Sequence, residues 1–327
     1  MTRLKTIAIT IGDPGGVGPE IIVKALYRAE IRKYCNPVVI GNADVLEEAV
    51  RLTGLPLKIR PISSMSESSP KAGIIETLDI KSRASFKKNV PSGSAGRAFV
   101  KYIRRSVELA MRKEVDAIVT APISKESLKL AGYEWPGHTE LLAELTNTDK
   151  FAMMFVSDKL KVVLYTIHLP LKEVSKRINT KLVSETILLA ETGAKMLGMD
   201  KPRIAVAGLN PHAGESGIMG KEEMRSIIPA VQKALAAGLT VSGPYPPDVI
   251  FHKAYTGAFD IIVCMYHDQG LIPFKMLAFD TGVNVTVGLP VIRTSPDHGT
   301  AFDIAWKNLA DPSSMLEAIK LASKLKL

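Results

Sequence analysis

The sequence predicts an α/β protein, and three observations carry that prediction. Short runs rich in Val and Ile alternate with longer segments of helical period, several runs show little polar alternation, and chemically capable residues gather just after them. Unbroken apolar runs of strand length suit a sheet covered on both faces. Strands that alternate with helices build layers of helix and sheet.

The strand candidates are KTIAITI (5–11), NPVVIG (36–41), DAIVTAP (116–122), KVVLYTI (161–167), RIAVAGL (203–209) and DIIVCMY (260–266). Helical segments fall at 43–52, 98–113, 181–197 and 221–238. In the second of these Phe99, Tyr102, Ile103, Ser106, Val107 and Ala110 share one side, the spacing of a core-facing helix. SSMSESSPKAG (63–73) has the composition of a loop, and its flanking strands make it a surface excursion rather than a linker. At 327 residues the chain exceeds the size of a single core, so two lobes are expected. The division is placed near EWPGHT, giving 1–135 plus 295–327 as one lobe and 136–294 as the other.

Composition narrows the function. With 46% apolar and 23% charged residues the chain is an ordinary globular protein. The net charge of +9, from 42 basic and 33 acidic residues, allows nucleic acid. Aromatics are only 6% and no recognition module appears, so no nucleic-acid partner is expected. A small anionic substrate accounts for the sign with a local cluster of cations. No apolar run approaches membrane-helix length, and IAITI is too short for a signal peptide, so a cytoplasmic protein with no membrane association is expected. The two cysteines make no disulfide framework, and Cys264 inside an apolar run reads as a core residue.

Three of the six histidines, His168, His212 and His267, lie at or just beyond the carboxyl ends of strand candidates, the edge where open α/β sheets bind ligands. Three neutral imidazoles suit a divalent ion such as Zn²⁺, while the residues alone equally allow three separately satisfied loop histidines. After His267, Asp268 and Gln269 are placed to fix the imidazole or line a pocket. GDPGGVGPE joins a strand to a helix and reads either as an anion cradle or as a tight turn with no ligand. It matches neither the dinucleotide fingerprint nor the P-loop. Thr139 stands at a helix start, where an N-cap is the common role. Lys275, Asn284 and Arg293 together suit a phosphorylated or carboxylated ligand.

GDPGGVGPE, TAPISK, PGHTELLAEL, HLPL, GLNPHAGE, GPYPPD, MYHDQGLIPFK, GVNVTVGLP and IRTSPDHGTAFDIA, in this order along nearly the whole chain, closely resemble the 4-hydroxythreonine-4-phosphate dehydrogenase family of vitamin B6 biosynthesis. GDPGGVGPE and DHGTAFDIA are also similar to motifs of the isocitrate and isopropylmalate dehydrogenases. The resemblance implies two α/β/α lobes with a central cleft and a homodimer whose site takes residues from both subunits. It implies NAD or NADP held without a Rossmann fingerprint, near Asp297, His298, Gly299, Thr300 and Asp303. It puts the metal, Zn or alternatively Mg, Co or Mn, on His168, His212 and His267, and the substrate on His138, Thr139, Lys275, Asn284 and Arg293. Asp248 in GPYPPD is the candidate base or an orienter of the ligands, with Lys125 in reserve. Sibling enzymes acting on 4-phospho-D-threonate, 4-phospho-D-erythronate or aromatic dihydrodiols remain open. So do a metal-dependent hydrolase and a nonenzymatic phosphate-binding protein.

Overall fold

The computed structural model describes residues 3–81 and 85–327 and is built of alternating strands and helices. The chain begins with β1 (Lys5–Thr10), α1 (Gly18–Tyr27), α2 (Ile31–Tyr34), β2 (Cys35–Gly41), α3 (Ala43–Thr53), β3 (Lys58–Ile62), β4 (Ile74–Asp79), α4 (Gly93–Met111), β5 (Ala117–Thr120), α5 (Lys125–Leu130) and α6 (His138–Leu145). There follow β6 (Ala152–Val156), β7 (Lys161–Leu164), α7 (Leu171–Arg177), α8 (Thr180–Met196), β8 (Ile204–Ala207), α9 (Ile228–Ala236), β9 (Val241–Tyr245), α10 (Pro247–Tyr255), β10 (Ile261–Cys264), α11 (His267–Ala278) and β11 (Val283–Val287). It ends with β12 (Arg293–Pro296) and α12 (Ser313–Lys324).

Two compact units result, Met1–Asp149 with Leu289–Lys324, and Lys150–Gly288 with Leu325–Leu327. These bounds differ from the division expected at EWPGHT. Helix α6 with His138 and Thr139 belongs to the first unit, and so does Arg293, because β12 pairs with β5 through Arg293 opposite Ile118.

In the first unit the strands run β3-β4-β2-β1-β5-β12, parallel throughout. Ile7, Ile9, Val38, Val39, Ile118 and Val119 are wholly shielded from water, as continuous apolar strands require. Helix α4 buries all six residues of its expected face. It starts where Ser92 Oγ accepts from Ala95 N at 3.2 Å, and α3 starts where Asn42 Oδ1 accepts from Val45 N at 3.1 Å. The 63–73 excursion is pinned by buried Glu76, which accepts from Ser68 Oγ at 2.6 Å and Ser69 N at 2.9 Å and pairs with Arg60.

GDPGGVGPE is a tight packing turn. A Cβ on Gly12 would lie 2.3 Å from Pro122 O, one on Gly15 2.5 Å from Lys87 O, and one on Gly18 2.2 Å from Ile11 O. The glycines admit neighbouring backbone. Asp13 accepts from Gly15 N at 2.9 Å and Ser127 Oγ at 2.7 Å, and burial pushes its carboxyl above the usual range. Glu20 is buried, accepting from Lys24 Nζ at 2.8 Å and Ala310 N at 3.0 Å, so α1 is tied to the segment before α12. Gly12 also has φ +69°, so Gly12→Ala adds backbone strain to a clash with a carbonyl. That variant is expected to lose roughly 2–4 kcal/mol in urea denaturation; a loss under about 0.5 kcal/mol would show that the turn gives way.

In the second unit the order is β11-β6-β7-β10-β8-β9. Strand β6 is antiparallel to both β11 and β7, while β7, β10, β8 and β9 are parallel. Phe155 and Phe274 meet edge to face at 5.8 Å in its core, among Leu164, Ala205, Ile262 and Cys264. Cys264 is wholly buried, as expected for a packing residue.

Candidate functional site

The adjacency of β7, β10 and β8 decides where the histidines go. The three strands are parallel neighbours, so the segments leaving their carboxyl ends emerge on one edge of the sheet. His168 follows β7, His267 is the first residue of α11 after β10, and His212 lies in the turn after β8. The rings of His168 and His267 stand 5.9 Å apart between centroids, tilted by 39°. Among the described residues no three His, Cys, Asp or Glu side chains gather closely enough to hold an ion, so His212 does not close onto that pair.

The donor chemistry fits a borderline cation. Nδ1 of His267 donates to Asp268 Oδ1 at 2.7 Å, which leaves the Nε2 lone pair as the ligating one. Gln269 does something different from its neighbour. Its Oε1 accepts from Met265 N at 2.6 Å and its Nε2 donates to Gly208 O at 2.7 Å, so one buried amide ties the end of β10 to the end of β8.

His212 sits in an uncommon turn. His212, Ala213, Gly214, Glu215, Ser216 and Gly217 all have positive φ, between 42° and 94°. Left-handed backbone costs roughly 1–2 kcal/mol per non-glycine residue. Such strain persists only where surrounding contacts over-determine it. Glu223, in a segment read as plain helix, supplies contacts to Leu209 and Asn210. The segment is helical from Glu222, but Glu223–Ile227 forms a π-helical turn and the regular α-helix begins only at Ile228. Helix α10 packs against the His212 turn and carries Asp248, exposed in its first turn.

In the first unit, Arg293 is 2% exposed and donates to Thr120 Oγ1 from Nη2 at 2.8 Å and from Nε at 3.2 Å. Burial pulls its guanidinium down to about 10, opposed by the charge of Glu140. His138 and Thr139 open α6, whose N-cap is Gly137, so the capping role expected as common for Thr139 does not apply. Thr139 Oγ1 and His138 Nε2 are both shielded from water and have no hydrogen-bond partner. Burial holds the His138 imidazole well below 6.5, and the positive charge of Arg293 adds to that. Orphaned polar atoms of this kind cost free energy unless a ligand satisfies them.

The sign of the His138 shift gives a stability expectation. The folded ring resists a proton that the unfolded ring takes up below 6.5. Stability therefore falls as pH drops below 6.5, by about 1.4 kcal/mol per pH unit for one proton, until the lowered folded value is reached. His138→Gln should flatten that slope by one proton in denaturation measured between pH 7 and 5.

In the second unit Asn284 Oδ1 is likewise shielded without a partner, and Lys275, half-buried on α11, lies 5.8 Å over the Phe279 ring. Lys125 is exposed at the start of α5. The segment after β12 packs on the glycine turn: Val17 N donates to Thr300 O at 3.0 Å, and Trp306 Nε1 to Pro14 O at 3.0 Å. Asp297 N is held by Ser314 Oγ at 3.2 Å, and His298 and Asp303 are exposed. A Cβ at Gly299 would meet nothing within 4 Å, so open space faces that backbone. Sequence reasoning missed Thr120 and Glu223. Thr120 was visible only as the polar end of DAIVTAP, and nothing local marked Glu223.

Comparison with known proteins gives the class first. Over 97% of this chain and 94% of the relative, it is 48% identical to a 4-hydroxythreonine-4-phosphate dehydrogenase of Desulforapulum autotrophicum. It is 46% identical to a D-threonate 4-phosphate dehydrogenase of Cupriavidus necator, over 98% of this chain and 97% of that one. The crystal structure of a 4-hydroxythreonine-4-phosphate dehydrogenase from Burkholderia phymatum matches with a TM-score of 0.87 at 46% identity, covering 100% of both chains. The protein is a dehydrogenase of α/β architecture. It belongs to the family of the pyridoxal phosphate biosynthetic protein PdxA, whose model matches residues 33–322. Among the described residues no helix is long and apolar enough to cross a membrane.

Proposed function

We propose that the enzyme oxidises 4-hydroxy-L-threonine 4-phosphate at its secondary alcohol, using NAD or NADP and one divalent cation per subunit. The product is a 3-oxo acid that loses CO₂ to give 3-amino-2-oxopropyl phosphate. The observation that carries this reading is the group of shielded, unpartnered atoms on His138 and Thr139 in the unit that buries Arg293. A site prepared with unsatisfied donors and a sealed cation suits a small, polar anion.

Each residue has a part. Arg293 remains cationic at neutral pH despite its lowered pKa, and binds an anionic oxygen pair of the substrate. His138, kept neutral, offers Nε2 to an oxygen of the same ligand, and Thr139 Oγ1 fixes its orientation. Lys275 contributes a point charge and Asn284 Oδ1 an acceptor for a substrate hydroxyl or amine. His168, His212 and His267 hold the cation, and Asp248 takes up the alcohol proton through water. Asp297, His298, Gly299, Thr300 and Asp303 hold the dinucleotide, where the backbone at Gly299 is open. When bound, the cation supplies positive charge where the alcohol loses its proton, and the dinucleotide accepts two electrons. The working enzyme is a cytoplasmic homodimer in this reading.

A second reading is favoured by the relatives themselves, which carry both substrate names at 48% and 46% identity. In it the substrate is 4-phospho-D-threonate or 4-phospho-D-erythronate, with a hydroxyl in place of the amine. One panel separates the two: each phosphorylated substrate with NAD or NADP, followed by reduced-nicotinamide absorbance before and after chelation. Turnover of hydroxythreonine phosphate alone supports the first reading. Preference for threonate phosphate replaces it with the second.

A further inference from the structure

We propose that Glu223 is a positioning residue for the cation site, its carboxylate fixing the left-handed turn 212–217 that carries His212. The proposal rests on His212 being a cation ligand. Glu223 is 1% exposed. Its Oε1 accepts from Leu209 N and Asn210 N, both at 2.8 Å, and its Oε2 accepts from Asn210 Nδ2 at 2.9 Å. The turn is wrapped closely on this group: a Cβ on Gly214 would lie 2.7 Å from Oε2, and one on Gly208 3.3 Å from Oε1. Gly220 closes the far side, where a Cβ would fall 2.2 Å from Asn210 Nδ2.

Only an acceptor with two competent oxygens meets this demand. The donors are two main-chain N–H groups on one side and an amide N–H on the other. A glutamine keeps one carbonyl for the main chain, but its amide would face the Asn210 amide, donor against donor. The π-helical turn Glu223–Ile227 contributes as well. Successive residues of an α-helix point about 100° apart, yet Glu222 Oε2 and Glu223 Oε2 both reach Asn210 Nδ2 at 2.9 Å. Glu222 is itself held by Ser175 Oγ, which lowers its pKa. A π-turn inside a helix frequently marks a functional site. Here two neighbouring carboxylates, Glu222 at its N-cap and Glu223 at its start, grip one loop residue. No step of the reaction requires Glu223, so its burial and full set of donors are explained by the turn that it shapes.

The test titrates Co²⁺ alone into metal-free protein, with heat and the cobalt absorption bands as readouts. Glu223→Ala should weaken Co²⁺ binding by about tenfold to a hundredfold, the usual effect of losing a group that orients a ligand. Glu223→Gln should fall between that variant and the wild type. Circular dichroism of both should match the wild type. His212→Ala serves as the reference. If it loses Co²⁺ affinity while both Glu223 variants keep it, the positioning role is overturned and the ligand reading survives. If His212→Ala itself binds Co²⁺ like the wild type, the ligand reading falls and the positioning role falls with it. Should Glu223→Ala not fold, Glu223→Gln decides: wild-type affinity there overturns the proposal.

Discussion

Arg293→Met is expected to lower kcat/KM by two to three orders of magnitude while leaving the melting temperature equal or higher. In the proposed function the variant loses a charge-assisted, forked contact to the substrate anion, roughly 3–4 kcal/mol in a water-poor site. The stability half follows from burial. A guanidinium 2% exposed, with its pKa drawn down to about 10 chiefly by desolvation, has its charged form penalised in the folded state. At pH 7 both folded and unfolded chains carry the proton, so that penalty is fully present and is removed with the charge. Methionine fills the space of the stem without a polar head. The cost on the other side includes Thr120 Oγ1, which loses two donors. Steady-state kinetics beside a thermal melt settle both halves. Undiminished activity would remove Arg293 from the substrate site, and a large drop in melting temperature would make it a structural group.

Replacing His168, His212 or His267 singly with Ala is expected to cut metal-dependent turnover at least ~1,000-fold, as chelation should in the wild type. Stability should hardly move, because His168 and His212 are exposed and His267 is half-buried, so little packing is lost. Turnover measured with added Zn²⁺, Co²⁺, Mn²⁺ or Mg²⁺ identifies the ion that supports the reaction best. Full activity in His212→Ala would dismiss that residue as a ligand.

The scaffold was more legible than the site. All six strand candidates formed strands, since each is a buried apolar run whose neighbours demand nothing else of it. Strands β6, β9, β11 and β12 were not singled out. RTSP and VSGPY carry hydroxyls, Gly and Pro, and become strands through pairing rather than preference. That His168, His212 and His267 follow strand ends was legible, because strand ends are a fixed address in parallel sheets. That β7, β10 and β8 are neighbours was not, since strand order has no local signature. The glycine turn allowed two readings, and packing accounts for its glycines, since a Cβ at Gly12, Gly15 or Gly18 would fall 2.2–2.5 Å from a neighbouring carbonyl oxygen. The left-handed turn at His212 was invisible, because HAGES contains one glycine for five residues of positive φ.

The first unit is completed by a segment that returns to it, Leu289–Lys324, whereas nearly all of the second lies within Lys150–Gly288. Synthesis runs from the amino end, and compact units fold as wholes. A nascent chain that has just cleared the ribosome through residue 288 thus holds every strand of the second unit, but neither β12 nor α12. Arg293 and the clasp between Glu20 and Ala310 arrive last. The edge that carries the three histidines can mature while the unit that buries Arg293 is still waiting for its final strand.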